Sequence, residues 1–390
     1  MTTVGLLGIF LGLFAVPFAT IERTRTRITV LLCAWLFHIG TAVLYYFYVQ
    51  TADADTTLYY YDRYNMYSMA VKPGTLFVIH FVQALKEAIG GSYLDYFLVF
   101  QSFGFWGICA LMRTVEELHL ELQVQQPRLT YVMLFLPGIF FWTSAIGKDA
   151  PLFLGCSLVI WAAMSIRRRL PVFSLGILIM ALIRPHIAMA ALVALAVTVF
   201  FDRRSHLLAK ALLLVFVLAG TYYVAGSMET GLNVNVASAE SVGEFFARQS
   251  TMAQRTGGTT TVEASFPIGL FSLLCRPFFI DAQGIFGLIA SVENIFILLM
   301  LGTIARRFGQ SVKLAGAVFF MRYAITFALV IMLLLAMVYY NVGLGLRQKM
   351  MFMPGLIAFY AGMTALRIRQ RVEAAILLKS EPQVRAPYPA

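Results

Sequence analysis

The sequence predicts an all-α, polytopic integral membrane protein with about eleven transmembrane helices, its N-terminus outside and its C-terminus inside. Three observations carry this reading. Hydrophobic residues fill 60% of the 390 positions and charged residues only 13%, against roughly half and a quarter in soluble domains. The apolar residues fall in long runs, which in lipid must be helical because each backbone polar group needs a partner within its own segment. The basic residues cluster between those runs, where a membrane protein keeps its cytoplasmic anchors.

Taken in order, the runs place spans at 3–20, 28–49, 94–112, 129–144, 150–166, 171–184, 186–201, 207–225, 283–304, 316–340 and 350–366. Val4 to Ala19 has no basic leader and no small-x-small cleavage site, so it reads as a retained helix. Arg23, Arg25 and Arg27 follow the first span. Arg167, Arg168 and Arg169 follow the fifth, and Arg203 and Arg204 the seventh. Arg306, Arg307 and Lys313 separate the ninth and tenth, and Arg367, Arg369 and Arg371 follow the last. Assigning all of these to the cytoplasm makes every crossing alternate and places about twenty of the thirty lysines and arginines inside. Thr75 to Ile89 is interrupted at helical spacing by His80, Gln83, Lys86 and Glu87, the pattern of an amphipathic helix on the outer surface. As a span it would turn the Arg167–Arg169 cluster outward. Leu270 to Ile280 is too short to cross and reads as re-entrant or interfacial.

These assignments give one transmembrane domain, residues 1–375, with extracytoplasmic loops at about 50–93, with its loop helix, and 226–267. The second loop, which contains Thr256-Gly257-Gly258-Thr259, reads as mobile. Residues 376–390, with Pro382, Pro387 and Pro389, read as a disordered cytoplasmic tail. No internal repeat is visible, so the inverted-repeat plan of secondary transporters has no support. The net charge of +11 sits at membrane anchors, a pattern that argues against nucleic acid as a partner. Cys33, Cys109, Cys156 and Cys275 lie in or beside apolar runs without metal-ligand spacing and read as packed thiols.

With the anchors set aside, the remaining ionisable residues gather on the outer side, where each needs a cavity or a partner. Asp53 and Asp55, two apart before Tyr59-Tyr60-Tyr61-Asp62, can accept a proton from an attacking hydroxyl or hold a divalent cation such as magnesium or manganese; the alternative is a solvated acidic loop. Lys148 and Asp149 end a tight turn after Phe140-Phe141-Trp142-Thr143-Ser144. Lys148 can contact a phosphate and Asp149 can orient it or start the next helix. Arg184 and His186 flank Pro185 in a connection with almost no loop; a guanidinium there suits bidentate phosphate binding, or snorkels. Arg276-Pro277 repeats the pairing. Glu293, about ten residues into an apolar run, is either a protonated structural carboxyl or a partner of Arg276 or Arg184. Arg347 and Lys349 close the turn Gly343-Leu344-Gly345-Leu346 and offer a further anion-binding pair. The expectation is that Arg184, Arg276 and Arg347 meet in one outward-facing pocket suited to a lipid-borne phosphate.

These motifs, spread over roughly 50–355, are similar to those of the GT-C superfamily of polytopic glycosyltransferases and of O-antigen polymerase (Wzy-like) proteins of bacterial polysaccharide clusters. The resemblance rests on the acidic first loop, on Leu136-Pro137 through Lys148-Asp149, on Arg184-Pro185-His186, on Arg276-Pro277 with Glu293, and on Leu346-Arg347. It implies location in a bacterial inner membrane, a polyprenyl-(pyro)phosphate-linked sugar as substrate, and other polysaccharide-assembly proteins as partners. It also implies an inverting transfer with Asp53 or Asp55 as base or metal-associated acid, and Arg184, Arg276 and Arg347 stabilising the leaving phosphate. Wzy-type polymerases are arginine-centred without an acidic pair in the first loop, so the resemblance leaves polymerase and single-sugar transferase both open. A transporter or flippase for anionic glycans is the rival from another class, and a non-catalytic assembly scaffold a third reading.

Overall fold

The computed structural model of the protein describes residues 2–51, 54–125, 132, 134–232, 244, 266–282, 284–337 and 342–380. Among these residues all regular structure is helical. The chain opens with α1 (Thr3–Leu13), α2 (Val16–Ala19), α3 (Arg25–Tyr48) and α4 (Asp55–Tyr61). Then come α5 (Thr75–Ile89), α6 (Tyr93–Glu121), α7 (Pro137–Trp142), α8 (Asp149–Ala163), α9 (Leu170–Ile183) and α10 (Pro185–Phe200). The rest is α11 (Leu207–Leu232), α12 (Phe266–Cys275), α13 (Gly284–Arg306), α14 (Phe308–Ala317), α15 (Phe319–Met337), α16 (Val342–Lys349) and α17 (Met353–Ser380).

Among the described residues four helices, α3, α6, α13 and α15, are long and apolar enough to cross a membrane, and α16 with α17, bent by 54°, makes a fifth when counted as one span. The other expected spans are shorter. The run 3–20 is broken into α1 and α2 with Pro17 in the second piece. The 14 residues of α9 reach only about 21 Å at 1.5 Å per residue, short of the roughly 30 Å hydrocarbon layer. Of the run 129–144 only α7 is a described helix of more than isolated residues, and 126–131 lie outside the described residues. The short apolar segment expected at 270–280 is a helix four residues earlier, Phe266–Cys275, followed by a bend. Residues 308–317, expected as a loop and the start of a span, form a separate helix, α14. The last helix runs to Ser380, past the expected tail boundary at 376; residues 381–390, and the Thr256–Thr259 stretch, lie outside the described residues.

The core is built around α6, which packs on α1, α3, α8 and α17, while α8 also packs on α9. The chain start is pinned to α6 at both ends. The Asp95 carboxylate accepts from Thr2 N (3.0 Å) and from Ser92 N (2.7 Å), which caps α6. Toward the other end of α6, Glu116 accepts from Ile21 N (2.9 Å), Glu22 N (3.0 Å) and Thr20 Oγ1 (3.0 Å), and pairs with Arg27. Glu117 binds Arg113 (2.7 Å) and Arg169 (2.8 Å), with Trp161 Nε1 donating to it at 3.2 Å. These partners explain why α6 continues well past the expected end at 112: its last charged turns are neutralised by Arg27 of α3 and by Arg169 of the α8–α9 turn.

Close approach at α6 also positions the turn that follows α7. Gly104 lies against Thr143, and an added Cβ would overlap the Thr143 carbonyl and stand 2.8 Å from Oγ1. His38 of α3 bridges the same region, its ring nitrogens 3.1 Å from Gln101 Oε1 and 3.0 Å from Thr143 Oγ1. Gly104→Ala is therefore expected to destabilise by about 1–3 kcal/mol through overpacking, read as a lower melting temperature in detergent. An unchanged melting temperature would show that the turn is not seated on α6.

The helix α5 has the ends expected for it. Val78, Ile79 and Val82 are buried on one face. Its polar face grips the preceding loop: Gln83 Nε2 donates to the Tyr59 and Tyr60 carbonyls (both 2.9 Å), and Lys86 Nζ to Tyr60 O (3.0 Å). Those carbonyls are the unpaired C-terminal acceptors of α4, so the polar interruptions of α5 hold α4 in place. Of the cysteines, Cys109, Cys156 and Cys275 are buried as expected, whereas Cys33 is exposed on α3.

Candidate functional site

The charged residues separate to the two ends of α8. Asp149 begins it, and Glu117, Arg169 and Trp161 meet near its other end, about 22 Å away for its 15 residues. Around Asp149 the chain brings together groups from four distant segments. One Asp149 carboxylate oxygen pairs with Arg347 Nε from α16. The other faces Arg184 Nη2, from the α9–α10 connection, at 3.5 Å, and no hydrogen bond reaches that oxygen. Arg347 Nη1 extends to Asp55 Oδ2 at the start of α4 (3.1 Å). Asp149 is 5% exposed, so both of its partners neutralise a carboxylate that burial alone would penalise.

A cavity of about 550 Å³ opens beside this cluster, within the size range of small-molecule sites. Asp55, Asp149 and Arg347 line it, with Tyr45, Tyr48, Tyr64 and Trp142 as aromatic walls. Arg63 also lines it and has no ion pair among the described residues. Local folding sets Arg63 there. Asp62, in the left-handed conformation (φ 46°), accepts from Met66 N (2.7 Å) and Tyr67 N (3.0 Å), closing a turn whose next two residues face the cavity. Arg184 does not line the cavity; it stands behind Asp149 and acts on the site through that carboxylate. Tyr59, buried beneath the cluster, has its phenol pushed well above the ordinary tyrosine range by burial, with the nearby Asp55 carboxylate adding to the shift.

Of the other predicted residues, those that are described stand apart from the cavity. Lys148 turns to Thr75 Oγ1 (2.9 Å), tying the α7–α8 turn to the start of α5. Burial, together with the neighbouring Arg184 and Arg347 guanidiniums, holds its ammonium below the usual lysine range. His186 is exposed on the first turn of α10, without a hydrogen bond among the described residues. Asp53 lies outside the described residues.

Arg276, Glu293 and Lys349 form a second cluster. Arg276 Nε binds Asp281 at 2.5 Å, so of the three arginines expected in one pocket only Arg347 lines the cavity; Arg184 shares the Asp149 carboxylate with it from behind, and an acid five residues away claims Arg276. Glu293 accepts from Gly138 N at 2.6 Å and pairs with neither Arg276 nor Arg184. Lys349 Nζ donates to Asn294 Oδ1 and to Arg276 O (3.1 Å), while Asn294 Nδ2 donates to Cys275 O (3.1 Å) and Pro277 O (2.8 Å). Arg347 and Lys349 are two apart on α16, hence about 200° around its axis, which is how one short helix serves both clusters. Lys349→Met is expected to strip a donor from the buried Asn294 side chain and from the partly buried Arg276 carbonyl, a buried acceptor costing about 1–3 kcal/mol when unsatisfied. A melting temperature unchanged by that substitution would contradict the second cluster.

Asp53, half of the acidic pair read as a candidate cation site, lies outside the described residues. Asp55 and Asp149 already face guanidiniums, whose charge opposes a second cation, and no group of three or more His, Cys, Asp or Glu side chains close enough to share a metal occurs among the described residues. The sequence reading missed Tyr45, Tyr48, Arg63 and Tyr64. Tyr45 and Tyr48 share a face at i and i+3 near the end of α3, and Arg63 directly follows the tyrosine-rich stretch; those spacings are the signals that point to them. Comparison with protein-family models, with curated proteins and with solved structures finds no match for this chain.

Proposed function

We propose that the protein is a glycan-assembly enzyme that transfers a sugar or oligosaccharide from a polyprenyl-(pyro)phosphate carrier, in the manner of a polysaccharide or O-antigen-type polymerase. The observation that carries this reading is the Asp55–Arg347–Asp149–Arg184 cluster at the mouth of an aromatic-walled cavity. A guanidinium whose counter-ions fix its plane is preorganised for charge that develops on a leaving phosphate. Tyrosine and tryptophan walls suit the mixed polar and apolar faces of a sugar. Asp55 spends one oxygen on Arg347, and its other oxygen has no hydrogen bond among the described residues, so it is available as a base.

In this reading an acceptor hydroxyl attacks the anomeric carbon, Asp55 takes the hydroxyl proton, and the glycosyl–phosphate C–O bond breaks. Arg347 and Arg63 receive the phosphate charge, and Asp149 with Arg184 behind it holds Arg347 in place. We assign the cavity to the extracytoplasmic face of a bacterial inner membrane and the arginine-rich turns at the far end of α8 to the cytoplasm. About eleven crossings follow when the shorter apolar helices are seated as tight hairpins in a locally thin bilayer. A single-sugar transferase using a polyprenyl-phosphate sugar would employ the same groups.

The test is turnover by the full-length protein in proteoliposomes supplied with lipid-linked oligosaccharide. Formation of new glycosidic bonds, with release of the carrier phosphate, is the expected result. Movement of the substrate across the bilayer without bond formation would assign the protein to the transporters instead. Normal products from an Asp53→Asn/Asp55→Asn double variant would remove the acidic loop from the chemistry.

A further inference from the structure

At the end of the bundle away from Asp149 a larger cavity, about 790 Å³, opens between the α8–α9 turn, the α10–α11 turn and the α14–α15 junction. Five arginines from these three segments line it, Arg167, Arg168, Arg203, Arg204 and Arg322, against a single lining carboxylate, Asp202. Arg322 is structural: its guanidinium donates to the carbonyls of Ala315 (2.9 Å), Thr198 (3.1 Å) and Gly316 (2.5 Å). Asp202 accepts from Arg204 N (3.3 Å) and Ser205 Oγ (2.8 Å). The other four arginines have no ion-pair partner among the described residues.

Like charges gathered around one concavity repel, and an anion seated among them relieves that cost. Guanidinium forks match phosphate oxygens in pairs. The wall continues into apolar surface: Leu195, Val199 and Phe319 line the cavity, and beside it Phe200, Phe201 and Leu207 are 66%, 65% and 83% exposed. A free anion gains nothing from that surface, whereas acyl chains do. We propose that this cavity binds the phosphodiester headgroup of an anionic membrane phospholipid, with its acyl chains laid along the exposed apolar faces of α10 and α11. Basic pockets between membrane helices hold lipid headgroups by this combination of charge and adjoining apolar surface.

The test titrates fluorescent phosphatidylglycerol, and the matching phosphatidylcholine, into the detergent-solubilised full-length protein. The wild type is expected to prefer phosphatidylglycerol. Arg167→Gln/Arg203→Gln is expected to weaken that binding roughly thirtyfold, about fivefold for each arginine, while Arg167→Lys/Arg203→Lys, which keeps the charge but not the fork, recovers part of it. Arg369→Gln, which removes an exposed arginine paired with Glu373, is expected to leave binding unchanged. Where the double variant does not melt cooperatively, Arg204→Gln alone is expected to weaken binding about fivefold. Equal binding of phosphatidylcholine, wild-type affinity in the glutamine variants, or an equal loss in Arg369→Gln would overturn the proposal. Displacement of the lipid by millimolar inorganic phosphate would assign the cavity to a soluble anion and overturn it as well.

Discussion

Asp149→Ala is expected to destabilise the protein by about 3–5 kcal/mol, the cost of leaving buried charge without its partner. Arg347 and Arg184, from segments 163 residues apart in the chain numbering, both depend on this carboxylate. Their side chains are 20% and 14% exposed, too little for water to replace it. The loss is read as a lower melting temperature in detergent, with Asp149→Asn as the companion that keeps side-chain volume. If Asp149→Ala melts with the wild type, the two arginines have other counter-charges and the cluster is not what holds these hairpins together.

Arg347→Ala is expected to lower turnover of lipid-linked oligosaccharide about a hundredfold to a thousandfold, the usual effect of removing one preorganised donor to developing negative charge. The fold should survive, because Asp149 keeps Arg184 as its ion partner. Arg347→Lys keeps the charge but not the planar fork that reaches Asp149 and Asp55 together, so it should recover only part of the rate. Initial rates measured on protein with a wild-type melting temperature separate this loss from unfolding. A rate within a few-fold of wild type in Arg347→Ala would remove the guanidinium from the chemistry.

What the sequence disclosed follows the range of the forces involved. The amphipathic pattern of Thr75–Ile89 depends on spacing within one helix, and that helix has the expected ends. The helical membrane character depends on composition and on the local order of apolar runs and basic clusters. The extension of α6 through Glu121 was hidden because Arg27 and Arg169, which neutralise Glu116 and Glu117, come from other parts of the chain. The helix α14 was hidden by its lysine and glycines, which read as a polar connection. Asp149, Arg184 and Arg347, singled out because charges at tight connections must find partners, do share ion pairs. The partners themselves were not legible. Arg276 was separated from the others by nearby Asp281, and Lys349 was turned to Asn294 because it lies two residues from Arg347 on a helix. Arg184 was expected to touch a phosphate but stands behind Asp149, a matter of depth that spacing does not encode.

A double-mutant cycle on turnover, combining Asp149→Asn with Arg347→Gln, reports most directly on whether these hairpin tips act as one unit on a phosphate-bearing substrate. Each single substitution should lower the rate, and the pair together should cost less than the sum, with a coupling free energy of about 1 kcal/mol or more. Losses that simply add, or wild-type rates in all three variants, would mean that Asp149 and Arg347 do not work together in the proposed glycosyl transfer.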